Sequence, residues 1–284
     1  MVLVIFILTS CRNLPYYLYD EFKEDALVIK YPVILVHGIL IHDRSELISF
    51  WGRIPDVLEN NGITYFFGNT DACGSIEVNA AELKNTIDRV LLETNSEKVN
   101  IIAHSKGGLD SRYLIWRYDY GDKVASLTTI STPHQGSEVA DLVDQFKHEY
   151  TWLARRAFRI FEKLYWDQHP NIELAVYELT TGYLKEFNEI VTMDERVYYQ
   201  SIYSSMKNPF DDIFFFYTFL YIKRLGGAND GLVSETSARW SPNYLKLYNI
   251  SHTEITDLKM RKISGVNIPD VFLSLIKDLG EKGF

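Results

Sequence analysis

Between residues 31 and 132 the chain alternates short apolar runs with stretches whose apolar residues recur at helical spacing, and this rhythm limits the fold more than any other feature. "YPVILVHG" (31–38) opens on Pro32, which the start of a strand tolerates, and closes on Gly38. Being apolar on both faces, it reads as a buried parallel strand. Residues 46–60 carry Leu47, Phe50, Trp51, Ile54, Val57 and Leu58, a helical stripe. "ITYFF" (63–67) reads as a second strand, and "AELKNTIDRVLLET" (81–94) as a helix with Leu83, Ile87, Val90 and Leu91 on one face. "KVNIIA" (98–103) is a third strand, followed by a turn and a helix to about Tyr118; "VASLTTIST" (124–132) is a fourth. The expected class is α/β, a mostly parallel sheet with helices on both faces.

The 284 residues are 46% hydrophobic and 24% charged, which suits one domain over residues 12–284 with a sizeable core. A formal charge of −9 argues against a broad nucleic-acid surface. Two cysteines, Cys11 and Cys73, cannot make a disulfide framework or a cysteine metal site, and Cys73 reads as a plain thiol. The opening "MVLVIFILTSC" is too short to span a bilayer and reads as an export segment over residues 1–11. Its Leu8-Thr9-Ser10-Cys11 ending resembles a lipidation box, so the expected product is secreted or held at the cell envelope through Cys11.

Residues 141–175 place Phe146, Tyr150, Leu153, Ala157, Phe161 and Leu164 on one helical face, with Arg155, Arg156, Arg159 and Lys163 largely opposite. This is either an ordinary helix packed on the core or an amphipathic cover whose apolar face meets lipid. "IFFFYTFLYI" (213–222) is a second dense apolar run, read as core or as the wall of an acyl pocket.

The chemistry concentrates at "AHSKGG" (103–108), on the predicted strand-to-helix turn. Ser105 occupies the centre of a G-x-S-x-G pattern whose first glycine is Ala103. Small residues are needed there because a nucleophile at such a tight turn leaves no room for neighbouring side chains. A serine hydroxyl also needs a base, and the base an orienting carboxylate. In hydrolases built on this kind of sheet the chain order is Ser, then Asp or Glu, then His. Asp230 in "GGANDGLVS" (226–234) and His252 in "YNISHTEITD" (248–257) satisfy that order, whereas His134, His148 and His169 precede Asp230 and fail it. The developing oxyanion requires backbone N–H donors, expected from Lys106 and from Ile39 beyond the first strand, with Gly38 permitting close backbone approach.

Taken together, "YPVILVHGIL", "FWGRIPDVLENNG", "AHSKGGLDSRY", "STPHQGSEVAD", "LTTGYLKEFN", "VYYQSIYSS" and "NDGLVS" resemble the bacterial triacylglycerol lipases of the Pseudomonas and Burkholderia type, over most of residues 31–257. The resemblance implies an α/β-hydrolase fold, a helical lid insertion over about 141–175, a lipid ester as substrate and a lipid–water interface as the working surface. It maps nucleophile, acid and base to Ser105, Asp230 and His252, and the oxyanion donors to Ile39 and Lys106. Those lipases also carry a structural Ca²⁺, held partly by an Asp two residues after the catalytic His. Here that position is Glu254, and the partner carboxylate falls at Asp211 or Asp212. No metal is assigned from sequence, Asp211 and Glu254 being the candidates. The expected function is a serine ester hydrolase acting on acyl-glycerols or related lipid esters. The alternatives are an acyltransferase or other carboxylesterase on the same triad, or a catalytically silent lipid-binding scaffold.

Overall fold

A computed structural model of the chain describes residues 27–43, 49–149 and 167–284. Six strands, β1 (Val33–Val36), β2 (Tyr65–Phe67), β3 (Val99–His104), β4 (Val124–Ile130), β5 (Tyr198–Ser205) and β6 (Tyr244–Tyr248), form one sheet in the order β2-β1-β3-β4-β5-β6. Every neighbouring pair is parallel. β1, β2 and β4 fall inside the apolar runs and β3 runs one residue past its own, to His104; the register brings Val36 beside Ala103 and His104 beside Ile130. β1 and β3 therefore end at the same edge, where the loops carrying Ile39 and Ser105 emerge.

Successive side chains on a strand point to opposite faces, so each central strand feeds two cores. Val33 and Leu35 join Ile102, Ile130 and Ile202 under α1 (Ile54–Asn60) and the C-terminal helix Ile268–Glu281. Ile34 and Val36 join Ile101, Ala103 and Leu127 under α2 (Ile76–Thr94) and α3 (Lys106–Tyr118). Burying both faces is what a parallel sheet requires. α2 begins earlier than its apolar stripe suggests: Ser75 caps it by accepting the Val78 N–H, and the helix ends on left-handed Asn95.

The middle of the chain supplies α4 (Glu138–Glu149), α5 (Ile172–Tyr177) and α6 (Thr181–Ile190). The expected lid over 141–175 is thus described only at its two ends, and residues 150–166 lie outside the described residues. Its second end is tied down by a reciprocal pair of carboxylates. Asp167 accepts the Ala72 and Cys73 N–H groups, while Asp71 accepts those of Gln168 and His169. His42, in the loop after β1, pairs with Asp167 at 2.8 Å, and that contact raises the imidazole's pKa.

The run 213–222 enters the core along one side only. It makes a short 3₁₀ turn and α7 (Phe216–Leu225), with Phe215, Phe219 and Ile222 buried and Ile213, Phe214 and Tyr217 exposed. Aromatic density concealed its helical period. α8 (Glu235–Ala238) and α9 (Ile268–Glu281) complete the described helices. Cys73 is a buried thiol, whereas Cys11 and the expected export segment lie outside the described residues. Among the described residues no helix is long and apolar enough to cross a membrane.

Candidate active site

Ser105 stands at the junction of β3 and α3 with φ 52° and ψ −127°, a backbone conformation that side chains avoid and that a tight turn must hold by packing. The packing is severe. A Cβ on Gly107 would lie 2.3 Å from the His37 carbonyl oxygen, and one on Gly108 would lie 2.1 Å from Thr132 Oγ1. On the other side, a Cβ on Gly38 would come within 2.8 Å of the Ser105 Cβ. The glycines and Ala103 are therefore small because the β1 loop and the start of α3 must close around the serine. The Ser105 N–H donates to Ile130 O at 2.8 Å, which ties the turn to β4.

Asp230 and His252 arrive on loops after β5 and β6, distant in sequence from the serine. The His252 ring spans the gap, with Nε2 3.0 Å from Ser105 Oγ and Nδ1 2.8 Å from Asp230 Oδ2. A serine O–H donating to Nε2 and a histidine Nδ1–H donating to the carboxylate form one continuous chain of hydrogen bonds. All three residues are buried: Ser105 is 6%, His252 4% and Asp230 1% exposed. The Asp230 carboxylate is held by the Leu232 and Val233 N–H groups at 3.0 and 2.8 Å, and Asp230 O accepts the His252 N–H. The structure thus brings together the three residues that chain order selected.

The expected oxyanion donors flank the serine. Lys106 is the first residue of α3, so its N–H belongs to those an α-helix leaves without an internal acceptor, at the positive end of the helix dipole. Its side chain turns away from the site and is buried on Asp110, at 2.7 Å, with Asn79 donating to the other carboxylate oxygen. Ile39 follows Gly38 in the β1 loop and packs on the cluster of Ile76, Leu109 and Leu184. The next residue, Leu40, has φ 73°, an uncommon conformation fixed by its N–H donating to Ala72 O.

Sequence reasoning passed over two groups. His104, immediately before the nucleophile, is fully buried, and its Nε2–H donates to the His252 carbonyl at 2.9 Å. Burial, assisted by the neighbouring His252, holds its pKa well below the ordinary imidazole value, so it serves as a neutral donor. Its place in the nucleophile motif was the available signal. The second group is Ser251 and Lys259, which complete a polar bracket with two of the carboxylates named from sequence, Asp212 and Glu254. His134, excluded by chain order, is also excluded by position: it stacks on Trp240 at 4.5 Å, with Arg112 beside its Nδ1.

The calcium candidates separate. Asp211 is turned back on its own loop, accepting the Lys207 and Asn208 N–H groups and the Asn208 side-chain amide. The carboxylate opposite Glu254 is Asp212, and Lys259 Nζ lies between them. An ammonium already occupies the space a cation would need, so this donor set does not fit Ca²⁺, which takes six to eight oxygen ligands. Among the described residues no group of three or more His, Cys, Asp or Glu side chains is arranged to hold a metal ion.

Residues 32–209 match the family model of the palmitoyl protein thioesterases. The chain is also 31% identical to triacylglycerol lipase 2 of Saccharomyces cerevisiae over 261 residues, covering 84% of this chain and 75% of the relative. The chain belongs to the palmitoyl protein thioesterase family and is a homologue of the triacylglycerol lipases. It is a carboxylic ester hydrolase. A triacylglycerol lipase of Burkholderia plantarii is 36% identical over 141 residues, which cover 48% of this hydrolase and 39% of that lipase. The α/β-hydrolase fold is shared with a metagenomic carboxyl esterase (TM-score 0.72, 19% identity, 96% and 80% of the two chains). A mature Bacillus licheniformis lipase superposes with TM-score 0.65 at 24% identity over 89% and 93%.

Proposed function

We propose that this hydrolase cleaves long-chain acyl esters, acyl-glycerols first among them, by a two-step acyl-enzyme mechanism. The observation that carries the reading is the unbroken path from Ser105 Oγ through the His252 ring to Asp230, at 3.0 and 2.8 Å. Ser105 Oγ attacks the acyl carbonyl carbon as His252 Nε2 takes its proton. The negative charge gathers on the carbonyl oxygen, facing the backbone amides of Ile39 and Lys106. Collapse breaks the ester C–O bond, and the imidazolium returns its proton to the departing alcohol. Water then attacks the acyl-enzyme with His252 again as base, releasing the carboxylic acid and restoring the Ser105 hydroxyl. Asp230 keeps Nδ1 protonated and stabilises the imidazolium.

Acyl-glycerols are inferred from the triacylglycerol lipases named above, and long acyl chains from the exposed Phe214 and Tyr217 around the start of α7 and the amphipathic pattern of 141–175, which we read as a cover over the site. The residues 1–11 reading, export with Cys11 as a lipid anchor, rests on their sequence alone. A second reading, cleavage of palmitoyl thioesters, draws support from the family model over residues 32–209.

The deciding assay compares fatty-acid release from emulsified long-chain triglyceride, a soluble short-chain ester and a palmitoyl thioester. The expected result is fastest turnover of the emulsion, reduced about 10³-fold or more in Ser105→Ala. Preference for the thioester would favour the second reading. Full activity in Ser105→Ala would overturn the mechanism.

A further inference from the structure

The bracket behind His252 is built as a chain of contacts running outward from the catalytic ring. Ser251, fully buried, donates its Oγ–H to Asp212 Oδ2 at 2.7 Å and its N–H to Glu254 Oε2 at 3.0 Å. Both carboxylates are themselves buried, with side chains 5% and 1% exposed. Two neighbouring buried carboxylates repel each other and lack solvation, so they require a cation between them. Lys259 Nζ provides it, donating to Asp212 Oδ2 at 2.9 Å and to Glu254 Oε1 at 2.7 Å, while its own side chain remains 32% exposed. Asp212 comes from the loop before α7, whereas Ser251, Glu254 and Lys259 belong to the histidine turn. The ammonium therefore pins that turn to a different part of the fold.

We propose that Lys259 is a positioning residue and serves as the built-in cation of this hydrolase. Its ammonium does for the His252 turn what the structural Ca²⁺ expected from the bacterial lipases would do, so ester hydrolysis proceeds without a divalent metal. The inference rests on the reading of His252 as general base. Lys259 touches neither substrate nor triad; it acts through Asp212, Glu254 and Ser251 on the direction of the imidazole. Its loss therefore lowers kcat more than it raises KM.

The test uses the full chain and a soluble short-chain ester, after dialysis against EDTA and after addition of CaCl₂. The wild-type rate is expected to be the same in both. Lys259→Ala is expected to lose about tenfold in kcat with little change in KM. Ethylammonium chloride, which can return a cation to the vacated space, is expected to recover much of that loss where NaCl does not. A wild-type enzyme silenced by EDTA and restored by Ca²⁺ overturns the proposal. So does a folded Lys259→Ala that keeps its kcat, or whose loss ethylammonium fails to recover. Should the variant not fold, the EDTA arm decides alone. Ser105→Ala and His252→Ala run alongside separate the two readings. If they retain turnover the triad fails, whereas the metal arm speaks only to the cation.

Discussion

The two halves of the candidate catalytic centre are held by different physics. Ser105 is positioned by exclusion, since a Cβ on Gly107 would collide with the His37 carbonyl, one on Gly38 with the Ser105 Cβ, and one on Gly108 with the Thr132 side chain. His252 is positioned by attraction. Its backbone is bonded to Asp230 O and to the His104 ring, and the preceding Ser251 hangs from two carboxylates neutralised by Lys259. Ser105 sits where one strand runs into its own helix. His252 sits on a loop that follows β6, the last strand of the sheet, and must reach the same point. Local sterics suffice for the first, whereas the second needs charge and hydrogen bonds gathered from several segments.

Breaking the excluded-volume half should give the largest effect. In Gly107→Ala the new methyl would lie 2.3 Å from the His37 carbonyl oxygen and 2.9 Å from Val36 Cγ1, so β1 and α3 must separate. Overpacking against backbone is expected to cost about 3 kcal/mol. The shift should also move the Lys106 and Ile39 amides apart and lower kcat by about 10²-fold. Denaturant melts and ester kinetics on the same preparation check both. A variant that loses stability but keeps kcat would show that the turn tolerates the displacement and that this packing does not set the rate.

The attractive half has a second anchor that can be cut without touching the triad. Asp257, within the histidine turn, caps the 3₁₀ turn Glu254–Thr256 in a left-handed conformation, is fully buried, and accepts the Arg53 N–H at 2.9 Å and its guanidinium at 2.6 and 2.8 Å. Arg53→Met would leave that carboxylate with a backbone donor but without its cation. Because the Arg53 side chain is one-third exposed, the expected cost is about 2 kcal/mol rather than that of a fully buried pair. Here stability should fall while kcat holds near wild type, because Lys259 still fixes Ser251. An equal fall in kcat would mean that the two anchors act as one unit.

The same division explains what could be read from sequence. Strands β1 to β4, the helix after the serine, and the turn between β3 and that helix depend on local pattern, and "VNIIAHSKGG" displays β3, the turn and the helix start within ten residues. Asp230 and His252 were accessible through chain order, because topology fixes which strand ends reach the site. His104 was passed over although it adjoins the serine, since a buried histidine bonded to a distant carbonyl leaves no periodic trace. Asp212 and Lys259 lie 47 residues apart, and no spacing rule joins an aspartate before one helix to a lysine beyond the catalytic histidine. The choice between Asp211 and Asp212 was open from sequence for the same reason. Only the fold distinguishes an aspartate that caps its own turn from one that faces a lysine.

The smallest effect lies on the Ser105 side, where packing has buried the carboxyl group of Glu178. Glu178 accepts the Ile76 N–H at 2.7 Å, and burial pushes its pKa up to about 7, although the nearby Lys106 pulls the other way. A carboxyl group whose folded pKa exceeds its unfolded value binds more protons when folded, so folding weakens as pH rises between the two values. From its ordinary value of 4.5 to about 7, Glu178 should therefore reduce stability progressively, by at most about 1.4 kcal/mol per pH unit. Glu178→Gln retains an oxygen for the Ile76 N–H and removes the titration. The variant should gain on wild type steadily between pH 5 and pH 6, and melting curves at those two values, within one buffer system, are sufficient to detect it. A constant difference across that interval would mean that Glu178 is charged throughout. The buried Lys106–Asp110 pair beneath the elbow would then be accommodating a second carboxylate, and the nucleophile's half would share the electrostatic character of the histidine's.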